Sequence, residues 1–165
     1  MATFLLNTQA YQNAKNALKA GDYKAAERAF KIALDSSDEH IGLSNDGRYN
    51  NVQSYYGLVQ VLNSNENGLL LCRDAASKEK FNGDVFLNLA CAELEGNNRK
   101  RAIDAIQHGR KIDAAHALLK RACVRLDCRK KCCIGFLPRE HRLNRILGRL
   151  MRKSGQVVTV HSLLY

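Results

Sequence analysis

Residues 14–34 read AKNALKAGDYKAAERAFKIAL. On either side of Gly21-Asp22 apolar residues recur three and four positions apart, the spacing that lines one face of an α-helix. Ala14, Ala26 and Ala33 are small, whereas Leu18, Tyr23, Phe30 and Leu34 are large. Small residues let two helices approach closely while large ones fill the groove between them. Glycine admits the positive φ of a tight reversal. The stretch therefore predicts a helix, a short turn and a second helix folded back on the first.

The same pattern extends outward from this hairpin. Counting 34 positions from Asn7 puts Ala14 at position 8, Ala26 at 20, Phe30 at 24 and Ala33 at 27. A second stretch obeys the template from Gly83: Phe86, Leu89 and Ala90 fall at 4, 7 and 8, and Ala102, Ile106 and Gly109 at 20, 24 and 27. Its turn, Gly96 to Asn98, is displaced by about one residue from that of the first hairpin. A looser copy from Asn50 places Gln53, Tyr56 and Gly57 at 4, 7 and 8, and Leu69, Arg73 and Ala76 at 20, 24 and 27, with Asn63 to Gly68 as its turn. Residues 38–51, rich in Ser, Asn, Asp and Gly, read as a loop between the first two copies.

Small and large residues at these positions resemble the tetratricopeptide repeat, over about Asn7 to Asp113. The resemblance implies an all-α fold, an α-solenoid of about three helical hairpins with C-terminal capping helices. It also implies a non-catalytic protein–protein interaction module, an adaptor, chaperone or complex subunit that holds a peptide or helix in a groove. In that family the contacts come from the first helix of each pair. Here they fall on Tyr11, Lys15 and Lys19, on Ser54, Tyr55 and Leu58, and on Asp84, Asn88 and Cys91. Tyr55 and Leu58 read equally well as packing residues. One subtype clamps the terminal carboxylates of heat-shock chaperones with Lys, Asn and Arg. Tyr11, Lys15, Asp84 and Asn88 stand at the corresponding positions, so the clamp is not matched.

After residue 113 the template ends. Ala115, Leu118, Leu119, Ala122, Cys123 and Leu126 form one apolar stripe, as a helix covering the last pair requires. A break at Gly135 to Pro138 precedes a helix predicted over 139–153, with Leu143, Ile146, Leu147, Leu150 and Met151 on one face and Arg142, Arg145, Arg149 and Arg152 elsewhere. The tail from Gly155, GQVVTVHSLLY, is β-branched and reads as a docking strand or a frayed end. The expected organisation is thus a repeat array over 1–113, basic capping helices over 114–153 and a tail over 154–165.

The net charge of +10 is concentrated. Residues 120–153 hold 12 Lys/Arg against Asp127 and Glu140, and the rest of the chain is balanced. Arg142, Arg145 and Arg149 are therefore candidate contacts to an acidic protein surface. Nucleic-acid binding through the same basic helices is the alternative, without an aromatic stacking platform to accompany it. A solvated basic surface explains the same residues.

Cys123, Cys128, Cys132 and Cys133 crowd together near His116 and His141, but their spacings lack the paired C-x-x-C of zinc sites, so no metal is expected. No Gly-rich phosphate loop, H-E-x-x-H or G-x-S-x-G occurs, and the histidines are scattered; neither catalysis nor a cofactor is expected. The start MATFLLNTQAY has no basic leader and no run approaches the roughly 20 apolar residues of a membrane span, which places the expectation in the cytoplasm. Short repeat arrays also associate with themselves, so a homo-oligomer is a further expected arrangement.

Overall fold

The structure, a computed structural model, describes residues 2–38, 47–126, 142, 143, 146 and 159–164. Among these residues it is helical without strands: α1 (Ala2–Ala20), α2 (Tyr23–Asp38), α3 (Gly47–Leu62), α4 (Asn67–Lys78), α5 (Gly83–Glu95), α6 (Arg99–Ile112), α7 (Ala117–Leu126) and α8 (Val160–Leu164). Helices α1 and α2, α3 and α4, and α5 and α6 pack as pairs, and each pair packs on the next through α2–α3, α3–α5 and α4–α5. No helix among the described residues is long and apolar enough to cross a membrane.

One turn closes all three pairs. In the first, Gly21 has φ +81°, its N–H reaches the Leu18 carbonyl at 3.1 Å, and the Asp22 N–H reaches Ala17 at 3.0 Å. These two bonds make a Schellman ending, which satisfies carbonyls left open at a helix C-terminus. The Asp22 carboxylate then accepts from the Ala25 N–H at 3.0 Å and caps α2. Ser64 (φ 65°) and Asn97 (φ 58°) occupy the same left-handed position, with bonds from Asn65 to Gln60 at 2.9 Å and from Asn98 to Glu93 at 2.7 Å. Counted from Asn7, Asn50 and Gly83, the left-handed residue is the fifteenth each time. The one-residue displacement expected for the third turn is therefore corrected: Asn97, not Gly96, does what Gly21 does.

The second pair departs from the expected register in its second helix. Gly68, Cys72 and Ala75 are buried there, whereas Leu69, Arg73 and Ala76 keep partial exposure. The contact positions lie one residue earlier than the template placed them, although α4 starts three residues after Ser64 whereas α2 and α6 start two after Gly21 and Asn97. Gly68 belongs to the helix, not to the turn. It meets Gly57 of α3 so closely that a methyl group on Gly57 would stand 2.6 Å from the Gly68 carbonyl oxygen. The loop expected over 38–51 is also corrected, since Gly47 to Asn51 form the first turns of α3.

Two apolar clusters meet at α3. Ala14, Leu18, Ala26, Phe30 and Ala33 pack with Val52, Tyr55 and Val59; Leu58 points into a second cluster with Cys72, Leu87, Cys91, Ile106, Leu119 and Leu126. Phe30 stacks on Tyr55 with ring centroids 5.4 Å apart. Between α4 and α5 the chain is tied by Glu79, whose Oε1 accepts from the backbone N–H groups of Lys80, Phe81 and Asn82 at 3.0, 2.9 and 3.0 Å. The Asn82 side chain then caps α5 by accepting from the Asp84 N–H at 2.9 Å. Asn82→Ala should lower stability by about 1 kcal/mol, read as a shift in the urea midpoint at unchanged slope.

Within the tail, Val160–Leu164 are a helix, not a strand, and residues 154–158 and 165 lie outside the described residues. Thr159 Oγ1 and the Thr159 carbonyl bond Ser162, which starts α8, and Val160 and Leu163 are buried. Burial of these two side chains on α5 and α7 offsets a weak intrinsic helix preference, as tertiary packing commonly does. Of the helix expected over 139–153, Arg142, Leu143 and Ile146 are described, and they are helical and exposed. Leu147, Leu150, Met151 and Arg152 lie outside the described residues.

Candidate interaction face

The first helices of the three pairs meet along one side of the molecule. Tyr11 of α1 lies edge-on to Tyr55 of α3, with centroids 6.0 Å apart, and edge-on to Phe30 at 6.0 Å. The Lys15 ammonium sits 5.6 Å from the Tyr11 ring centroid and 5.5 Å from that of Tyr55, within range of a cation–π attraction to both. Lys15 lies one helical turn after Tyr11, which is why the two stack on one face of α1. Lys19, a further turn on, is exposed.

Farther along this side the contacts become polar. The Asn51 side chain and the Asp84 carboxylate of α5 lie near enough to act on the Tyr11 phenol. Ser54 Oγ donates to the Asn51 carbonyl at 2.7 Å and accepts from Asn88 Nδ2 at 3.0 Å, which joins α3 to α5. Asp84 Oδ1 lies 2.9 Å from His116 Nε2, while His116 Nδ1 accepts from the Leu119 N–H at 3.2 Å. That second bond makes Nε2 the protonated nitrogen of neutral His116, donating to Asp84, and lets the ring cap the start of α7. Oδ1 of Asn51 and Oδ1 of Asn88 are buried acceptors without a partner among the described residues.

Burial pushes the Tyr11 phenol up from its ordinary 10.0 to about 12, with the Asp84 charge adding to the shift and the Asn51 bond opposing it. A raised phenol favours the neutral folded form, so its contribution is intact below pH 10 and is lost as pH rises toward about 12. Absorbance titration of tyrosinate should show a group titrating at about 12, and Tyr11→Phe should remove it.

The sequence-derived contact residues divide by exposure. Tyr11 and Lys15 are partly exposed and lie together, with Lys19 beside them on α1. Ser54, Leu58 and Asn88 have no exposed surface and Tyr55 is 7% exposed; they are packing and hydrogen-bonding residues of the α1–α3–α5 junction in the free chain. Cys91 is also fully buried. Arg142 is exposed, and Arg145 and Arg149 lie outside the described residues. Asn51, Asp84 and His116 complete this side, and the spacing rules that found Tyr11 and Lys15 give no sign of a pair 32 residues apart such as Asp84 and His116.

Of the crowded cysteines, Cys123 accepts from Arg110 Nη1 at 3.1 Å; Cys128, Cys132, Cys133 and His141 lie outside the described residues. Cys72 and Cys91 are buried thiols, and desolvation pushes Cys72 well above the usual range and Cys91 up to about 12. Both are therefore held in the unreactive thiol form. An open cleft of about 490 Å³ lies between α4, α5 and α6, walled by Phe86, Leu89, His108 and the Arg73–Glu93 ion pair. Basic residues begin earlier than residue 120: residues 99–126 carry eight Lys/Arg against Asp104 and Asp113. Protein-family models and curated proteins compared with the chain yield no match.

Proposed function

We propose that the chain is a non-catalytic interaction module of tetratricopeptide type that holds a protein segment along the face of α1, α3 and α5. The observation that carries this reading is the Tyr11–Lys15–Tyr55 group, a partly exposed cation seated on two rings. Rings supply apolar contact at low entropic cost, and the ammonium favours an acidic side chain. The repetition of one turn and one set of small crossing residues in three successive pairs supports a solenoid arrangement around that face.

A photo-crosslinker placed at Gln12, which is exposed beside Tyr11, tests the reading in cell extract. It should capture a discrete protein, and Lys15→Glu should reduce capture about tenfold while helical content stays unchanged. Equal capture by wild type and Lys15→Glu would refute the reading.

The basic α6–α7 end favours a second reading, contact with nucleic acid. Affinity for a labelled RNA should then fall steeply between about 50 and 200 mM salt. Charge reversal at Lys100, Lys111 and Lys120 together with Arg142, Arg145 and Arg149 should weaken it, and unchanged affinity would exclude this reading.

A further inference from the structure

The C-terminal helix α8 packs on α5 and α7, so it lies across the side where the first helices of successive pairs adjoin. Val160 and Leu163 enter the cluster that holds Leu87 and Cys91 of α5 and Leu119, Ala122 and Leu126 of α7, and Leu164 packs at its edge. An Arg125 guanidinium N–H donates to the Ser162 carbonyl and fastens α8 from the α7 side. With α3, α4 and α6 on its other sides, α5 has a buried surface all round: Val85, Phe86, Leu87, Asn88, Ala90, Cys91, Ala92 and Glu93 are each buried.

We infer that α8 is an internal ligand, which fills one end of the interaction face and is displaced by a partner helix carrying aliphatic residues at the same i, i+3 and i+4 spacing. The inference rests on the reading of this face proposed above. Three features argue for exchange. α8 has five residues, below the length at which a helix holds itself together, so its helical state depends on the docked position. Two of its five residues are buried, against nine of thirteen in α5. Its pattern, Val160, Leu163 and Leu164, is the anchor spacing of a helix laid in a groove, so a partner helix with the same anchors fits the same seat.

Tethering gives α8 an effective concentration in the millimolar range, so the same sequence offered in trans at micromolar concentration competes poorly until the tethered copy is disabled. The test uses the full chain and a labelled nonapeptide VVTVHSLLY, with a control peptide in which the leucine equivalent to Leu163 is aspartate. Leu163→Asp and Val160→Asp chains should bind the nonapeptide at least tenfold tighter than wild type, and none should bind the control. Arg125→Ala should give a smaller gain, about threefold, because the apolar seat is retained. Folded Leu163→Asp and Val160→Asp chains that ignore the peptide would overturn the inference, and so would unfolding of both, since α8 would then be an obligatory part of the core. A nonapeptide bound as a domain-exchanged dimer, seen as a doubled mass in sedimentation, would also overturn it in favour of a second copy as occupant. Failure here is separable from failure of the underlying reading: Lys15-dependent crosslinking from Gln12 would persist, unaltered by Leu163→Asp.

Discussion

Gly68→Ala should lower the stability of the chain by about 3 kcal/mol, although alanine is the better helix former by about 1 kcal/mol. A methyl group at Gly68 would overlap the Gly57 carbonyl oxygen and lie 2.7 Å from Gln60 Cβ and 2.8 Å from the Val61 nitrogen. Two of these atoms are backbone, so no side-chain rotation relieves the overlap and α3 and α4 must separate. Separation would open the seat of Cys72 and Leu58, both fully buried, and the cavity cost then adds to the strain. Gly57→Ala should behave alike, since its methyl would meet the Gly68 carbonyl at 2.6 Å and Cys72 Sγ at 2.9 Å. Gly21→Ala is the useful contrast. Nothing lies within 4 Å of a methyl there, and the expected loss, about 1 kcal/mol, comes from φ +81° alone. Urea unfolding of the three variants checks the order; a Gly68→Ala chain as stable as wild type would show that the two helices do not touch at this crossing.

Glu79→Ala should cost a similar amount, about 3 kcal/mol, and should loosen the relation of α3 to α5. Glu79 is 6% exposed, and its two oxygens serve different elements. Oε1 gathers the three N–H groups of the α4–α5 link, while Oε2 accepts from Asn50 Nδ2 at 3.4 Å and lies near Gly47 at the start of α3. A carboxylate at that place also suits the positive end of α3. Each bond to a charged acceptor contributes about 1.5–3 kcal/mol, but the loop N–H groups regain water when the side chain is removed, so the sum is not lost in full. Glu79→Gln retains a carbonyl for the link and should cost roughly half as much. Phe81→Ala in the same link should be nearly silent, because that ring is 84% exposed. Hydrogen exchange at Lys80, Phe81 and Asn82 distinguishes the variants: protection should vanish in Glu79→Ala and persist in Phe81→Ala.

The first pair was legible because its two faces are unlike. Ala14, Ala26, Phe30 and Ala33 stand in a polar background, and all four are fully buried as their spacing implies. The same argument held for Ala90, Ala102, Ile106 and Gly109 in the third pair. It slipped in α4 of the second pair, where the run Leu69, Leu70, Leu71 hides the buried Gly68, Cys72 and Ala75, and the contrast is blurred in α3 too, since Asn50, Gln53, Ser54 and Gln60 are buried there. Polar residues in a buried helix erase the contrast on which periodicity depends. Within the candidate face, Tyr11 and Lys15 were found by their place on α1. Asp84 was likewise found by its place on α5, whereas Asn51 and the bond from His116 to Asp84 were missed because their partners are distant in sequence.

The amino-acid sequence by itself determined the helical class, the small buried positions of the first and third pairs and the concentration of basic residues toward the end. These are local properties: propensity, spacing and charge act over a few residues, and each is present before the chain folds. Tertiary structure alone decided that Gly57 and Gly68 touch, that Glu79 ties three elements together, that Ser54 and Asn88 face each other rather than solvent, and that Val160 to Leu164 form a helix on α5 and α7. Each of these depends on which surfaces are brought within a few ångströms after the pairs have formed, and desolvation there decides conformations that local preference leaves open.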